Sequence, residues 1–232
     1  MLGPADWVIW ALSMFFEASV VVCSLYRKSF RRYFFLNLYM LISFVVSVGT
    51  FRVLTQYGRS SLEYRYFYFY SEALLIISLY FALISLYSRV LHEMRVERYL
   101  RMGAVLLLAG TACFSYAVVS QSSHRMLTYF VFELCQNLYF VGLVLTYALW
   151  GAILKLRETR ALLVQLVLSL GVYFSAYAAS YAISNLRPDL YSYVYRLFPL
   201  MGCLLPLAWA YAIWRVPEGA RLVPARLAAV PR

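Results

Sequence analysis

The chain reads as an all-α integral membrane protein, a bundle of seven transmembrane helices with its N-terminus outside and its C-terminus in the cytoplasm. Three observations predict this. Of 232 residues, 64% are hydrophobic and only 13% charged, with a mean hydropathy of +0.71, whereas a soluble domain carries about 25% charged residues. The apolar residues gather in seven runs, near 7–26, 33–54, 66–87, 102–119, 126–153, 161–184 and 191–214, each close to the roughly 20 residues that a helix needs to cross the hydrocarbon core. Basic residues punctuate the runs unequally on alternate sides. In lipid a backbone has to satisfy its own hydrogen bonds, so each run is expected to be a helix. Little sequence is left over, which implies one transmembrane domain, 1–214, and a basic tail, 215–232.

The first run, with Trp7 and Trp10 near its outer end, has no basic region before it and reads as a retained helix, not a cleaved signal peptide. The second returns outward and carries Arg52. The third, "YRYFYFYSEALLIISLYFALISLY", places Tyr64, Tyr66, Tyr68 and Tyr70 at its outer end, where aromatic belts form. The fourth, "MGAVLLLAGTACFSYAVV", is the shortest but is uncharged. The fifth contains "FELCQN", with Glu133, Gln136 and Asn137 at spacings of three and four, and so on one helical face. The sixth, "GVYFSAYAASYAIS", has Gly171, Ser175 and Ala179 on one stripe and Tyr173, Tyr177 and Tyr181 on another. Small residues allow close helix approach. The tyrosines suit either aromatic packing or a line of hydroxyls for a polar ligand or a proton. The seventh contains Pro199 and Pro206, which free backbone carbonyls and are expected to bend it.

Orientation follows from Lys and Arg. The loop after the first run holds Arg27, Lys28, Arg31 and Arg32. The loop after the third holds Arg89, Arg95, Arg98 and Arg101. The loop after the fifth holds Lys155, Arg157 and Arg160, and the tail holds Arg215, Arg221, Arg226 and Arg232. Six of the 21 basic residues fall elsewhere: Arg52, Arg59, Arg65, Arg125, Arg187 and Arg196. The richer side is expected in the cytoplasm, with a bacterial inner membrane as the expected location. The net charge of +11 then reflects orientation and contact with anionic lipids at the cytoplasmic face; no nucleic-acid partner is read from it.

Glu17, Glu72 and Glu133 each sit inside an inward-running helix. This gives a hairpin period of about 55–61 residues, which either duplication or alternating topology explains. Glu17 lies near the centre of its run. At about 1.5 Å per residue, Glu72 lies about 7 Å and Glu133 about 10 Å outward of their helix centres, and Arg196 about 9 Å outward on the seventh. A charge at the bilayer centre costs about 2.5–3.5 kcal/mol on insertion scales, so the acids should face the bundle interior. Arg196 is the expected partner of Glu72 or Glu133, since its fork can bridge two carboxylates; Arg52 lies somewhat further out. Glu17 has no basic residue at its depth and is expected to be a neutral acid that donates a hydrogen bond or carries a proton.

Other chemistry is excluded. His92 and His124 lie in loops on opposite sides, which argues against a membrane haem on paired histidines. The metalloprotease pattern H-E-x-x-H is begun by "HEMRV" but not completed. The cysteines Cys23, Cys113, Cys135 and Cys203 lie inside apolar runs and read as small hydrophobes. In topology alone the chain resembles the retinal proteins, which hold retinal on a lysine of the last helix. Here the only lysines are Lys28 and Lys155. No catalytic residue, metal or cofactor is assigned. The candidate ligand- or proton-binding residues are Glu17, Glu72, Glu133, Gln136, Asn137 and Arg196, with Arg52, Tyr173, Tyr177 and Tyr181 secondary. Two functions fit. One is a small-molecule receptor or accessory module with a polar pocket in the outer half, acting through a membrane or cytoplasmic protein partner. The other is a compact, proton-coupled small-solute transporter.

Overall fold

The structure is a computed structural model that describes residues 4–58, 60–92, 97–120, 126–156, 159–187, 189, 191–217 and 219–221. Among them are seven α-helices: α1 Pro4–Tyr26, α2 Phe34–Tyr57, α3 Leu62–Val90, α4 Glu97–Ser120, α5 Met126–Lys155, α6 Ala161–Leu186 and α7 Tyr191–Arg215. They follow the seven apolar runs and mostly overrun them, because a helix that leaves hydrocarbon keeps its backbone bonds well into the interface. Gly58, at φ +79°, ends α2 in a left-handed conformation that costs a residue without Cβ little. Three residues on, the Ser61 hydroxyl accepts from the Tyr64 amide at 3.1 Å and caps the start of α3.

Among the described residues, five helices are long and apolar enough to cross a membrane, over Trp7–Tyr26, Phe34–Tyr57, Leu62–Val90, Phe130–Lys155 and Ala161–Leu186, and α4 and α7 carry the shorter apolar stretches Val105–Ala117 and Leu200–Arg215. Large apolar side chains are exposed around the outside, among them Phe15, Val45, Leu74, Leu106, Val144 and Val172. That much exposed hydrocarbon would be an aggregation liability in water and is the ordinary surface of a protein in lipid. The chain is a multi-pass helical membrane protein in contact with the bilayer.

Six helices close into a ring. α1 packs on α2, α2 on α3, α3 on α5, α5 on α6, α6 on α7, and α7 back on α1. α4 stands outside it, against α5 and, more lightly, α3. The buried core includes Met40 of α2, Tyr80 and Leu83 of α3, Leu138 and Leu149 of α5, Phe174 of α6 and Trp209 of α7. The α3–α5 seam repeats every seven residues: the Tyr80 hydroxyl donates to the Leu138 carbonyl at 2.7 Å and the Tyr87 hydroxyl donates to the Leu145 carbonyl. A heptad step keeps two gently wound helices in register.

Close approach of α5 and α6 depends on glycine. A Cβ on Gly142 would stand 2.3 Å from the ring of Phe174, and one on Gly171 would meet Thr146 at 3.2 Å. Gly171 thus plays the packing role expected of it. Ala179, on the same sequence stripe, is exposed.

Arg27, Arg89 and Arg160 lie at one end of the ring. Arg27, after α1, donates to the carbonyls of Trp214 and, at 3.4 Å, Val216 at the end of α7. Arg160, before α6, donates to the carbonyl of Arg89 near the end of α3 at 3.0 Å. Arg89 in turn lies over the ring of Tyr33 at 4.6 Å. The Ala161 amide bonds the Ala220 carbonyl at 3.0 Å, so the chain after α7 returns alongside the start of α6. These arginines meet the negative ends of helix dipoles and satisfy terminal carbonyls. The tail beyond Arg221 lies outside the described residues.

Candidate functional site

Two carboxyls are built into the ring by different means. Glu17 of α1 is buried, 3% exposed. The Ser43 hydroxyl of α2 donates to its Oε1 at 2.6 Å, and the Ser47 hydroxyl, one turn further, lies 3.2 Å from Oε2 and 3.5 Å from Oε1. Ser13, one turn before Glu17 on α1, is also within hydrogen-bonding reach. Glu17 is met by hydroxyls, and among the described residues no cation pairs with it. The i, i+4 spacing of Ser43 and Ser47 puts both on one face of α2.

Glu72 of α3 is half-buried and accepts a hydrogen bond at 2.8 Å from the hydroxyl of Tyr139 on α5. Tyr139 anchors a cluster of rings. It stacks on Tyr177 with centroids 4.6 Å apart and lies 5.6 Å from Tyr181, while Tyr173 approaches Tyr177 at 4.6 Å. Phe174 meets Tyr139 from the side and Tyr80 beyond it. All three stripe tyrosines of α6 are therefore turned inward and buried, and they pack on one another and on α5 as well as presenting hydroxyls. The Tyr173 hydroxyl is within hydrogen-bonding reach of Tyr177 on its own helix and of Tyr39 on α2. Tyr39 is itself buried against Trp209 of α7 and lies within electrostatic range of both Glu17 and Glu72. The interior thus runs from the serine-lined carboxyl, past Tyr39 and Tyr173, to the tyrosine-bound carboxyl.

The other candidates are distributed differently. Glu133 and Gln136 are half-buried on α5. Asn137 donates to the Ser115 hydroxyl of α4 at 3.1 Å, so its amide ties the peripheral helix to the ring and does not line the interior. Arg52 is exposed on α2. The side chain of Arg196 lies outside the described residues, and with it the expected bridge from Arg196 to Glu72 or Glu133.

Sequence reasoning singled out both interior carboxyls but not Ser43, Ser47 and Tyr139, which meet them, nor Tyr39, which lies near both. Ser43 and Ser47 carry a signal in their four-residue spacing opposite a lone acid. Tyr139 carries none among 22 tyrosines. No known family model, no curated protein and no solved structure matches the chain.

Proposed function

We propose that this protein is a small-molecule receptor or accessory module whose ligand meets the carboxyl of Glu72 and the tyrosines Tyr139, Tyr173 and Tyr177. The supporting observation is the Tyr139–Glu72 hydrogen bond at the edge of a buried tyrosine cluster. An ionisable group inside a membrane bundle is costly and by default marks a functional site. Tyrosine rings offer flat apolar faces, and their hydroxyls fix orientation, which suits a small ligand with an apolar body and a hydrogen-bonding or cationic end. Signal output then needs a protein partner docked at the basic end, where the connections are short. A second reading, a compact proton-coupled transporter, is favoured by the placement of Tyr39 within range of both carboxyls.

Native mass spectrometry of the purified protein tests the first reading. The wild type is expected to carry a small molecule that Glu72→Gln and Tyr139→Phe lose. A wild type free of any small molecule, together with proton uptake in liposomes that depends on Glu72, favours transport instead.

The same reading has seven crossings in a bacterial inner membrane, with the N-terminus outside. It is supported by the concentration of Lys and Arg at the ends of the odd-numbered helices and by the junctions that Arg27 and Arg160 make there. In a cysteine-free background, Ser122→Cys and Arg187→Cys should react with an impermeant thiol reagent in intact cells, and Arg157→Cys and Arg221→Cys should not. Labelling of the second pair would reverse the orientation.

A further inference from the structure

Hydroxyls in membrane helices commonly bond to the carbonyl one turn back. The helices here follow that habit: Ser19 bonds Phe15, Thr50 bonds Val46, Thr146 bonds Gly142 and Ser180 bonds Ala176, at 2.6–2.8 Å. Ser43 and Ser47 are turned instead across the α1–α2 interface to the Glu17 carboxyl. With Ser13 from α1 they bring three hydroxyls to that carboxyl, and the Cys203 thiol of α7 stands beside Ser13.

We propose that Glu17, Ser13, Ser43 and Ser47 form a binding site for one monovalent hard cation of the sodium class, which replaces a proton on the Glu17 carboxyl. The site is separate from the ligand site at Glu72 and does not rest on it. Hard cations take oxygen ligands; at about 2.4 Å from the ion, neighbouring donors at right angles stand about 3.4 Å apart. The Ser47 hydroxyl, 3.2 and 3.5 Å from the two carboxylate oxygens, is at that spacing. The 2.6 Å contact of Ser43 is a hydrogen bond that opens slightly when the ion enters. Charge selects the valence. A monovalent ion leaves one carboxylate and its hydroxyls neutral, whereas a divalent ion leaves a net positive charge in a buried membrane site, which is the costly outcome. Among the described residues, the titratable groups that face Glu17 from neighbouring helices are Tyr39 of α2 and Cys203 of α7.

The test is equilibrium binding of radioactive sodium to the purified full chain in detergent micelles at mildly alkaline pH. Saturable binding of one ion per chain is expected, displaced by sodium chloride but not by choline chloride, and weakened at mildly acidic pH as protons compete. Glu17→Gln should abolish binding. The double variant Ser43→Ala, Ser47→Ala should weaken it by about tenfold or more through loss of two oxygen ligands. A wild type without saturable sodium binding overturns the proposal, as does unchanged affinity in either variant. Should Glu17→Gln fail to fold, the double variant decides alone, since it keeps the carboxyl and removes only hydroxyls.

Discussion

The two interior carboxyls, one buried and one half-buried, sit in one ring but in opposite kinds of surroundings. Glu17, between α1 and α2, is met by small flexible hydroxyls from serines one turn apart. Glu72, between α3 and α5, is met by a single phenol held by a stack of rings that fills the space between α5 and α6. Serine hydroxyls rotate freely and can serve either as hydrogen-bond donors or as oxygen ligands. A stacked phenol is fixed by its neighbours, so its hydrogen bond is preorganised and depends on packing far from the carboxyl. The first region suits exchange of a small ion, and the second suits recognition of a shaped molecule.

The largest effect separating the two regions should come from a residue that touches neither carboxyl. Gly142→Ala places a methyl 2.3 Å from the Phe174 ring, which is wholly buried against Tyr139. Overpacking of this kind costs about 1–3 kcal/mol, and the displaced aromatic cluster should weaken ligand retention at Glu72. Sodium binding at Glu17 should be unaffected. Chemical unfolding in micelles, with the two binding measurements alongside, reads all three; loss of sodium binding as well would mean that the regions are mechanically one.

A smaller effect sharpens the role of the phenol. Tyr139→Phe removes the described donor to Glu72; that carboxyl is half-buried, so the loss should be about 1 kcal/mol, the net worth of a typical hydrogen bond. Tyr80→Phe removes a hydroxyl of the same chemistry, but its acceptor is a helix carbonyl on α5, which keeps its own backbone partner. It should cost less, about 0.6 kcal/mol, the average for hydrogen bonds between membrane helices. Equal losses of stability in the two variants would remove the distinction drawn for Glu72.

The smallest effects lie at the serines. Ser43→Ala should cost about 0.6 kcal/mol, and Ser47→Ala less, because its contacts to Glu17 are longer at 3.2 and 3.5 Å against 2.6 Å. The same unfolding measurement in sodium-free buffer ranks them. A reversed order would mean that Ser47, not Ser43, is the main donor to Glu17.

Much of this fold was legible from residues alone. An apolar run long enough to cross lipid is compelled to be helical, because its backbone groups have no water to bond, and that compulsion is local. The run bounds at 54 and 66 placed the break between α2 and α3, where Gly58 is left-handed and Ser61 caps. The uneven placement of Lys and Arg is likewise a property of the chain. The carboxyls could be picked out as interior by their cost in lipid, and the inward turn of Tyr173, Tyr177 and Tyr181 followed from their four-residue spacing once one of them was buried.

Only tertiary structure decided which helices adjoin and what each acid meets. A membrane helix is apolar on its lipid face and its protein face alike, so hydropathy carries little record of rotation about the axis or of the neighbour. That α4 stands outside the ring, that Asn137 reaches Ser115 on it and not the interior, and that Tyr139 is the tyrosine to reach Glu72 all depend on contacts between segments distant in the chain. Burial forces a carboxyl to find partners. Which partners it finds is set by close packing at glycines such as Gly142 and by the heptad register of α3 on α5, where α5 comes near enough for one phenol to arrive.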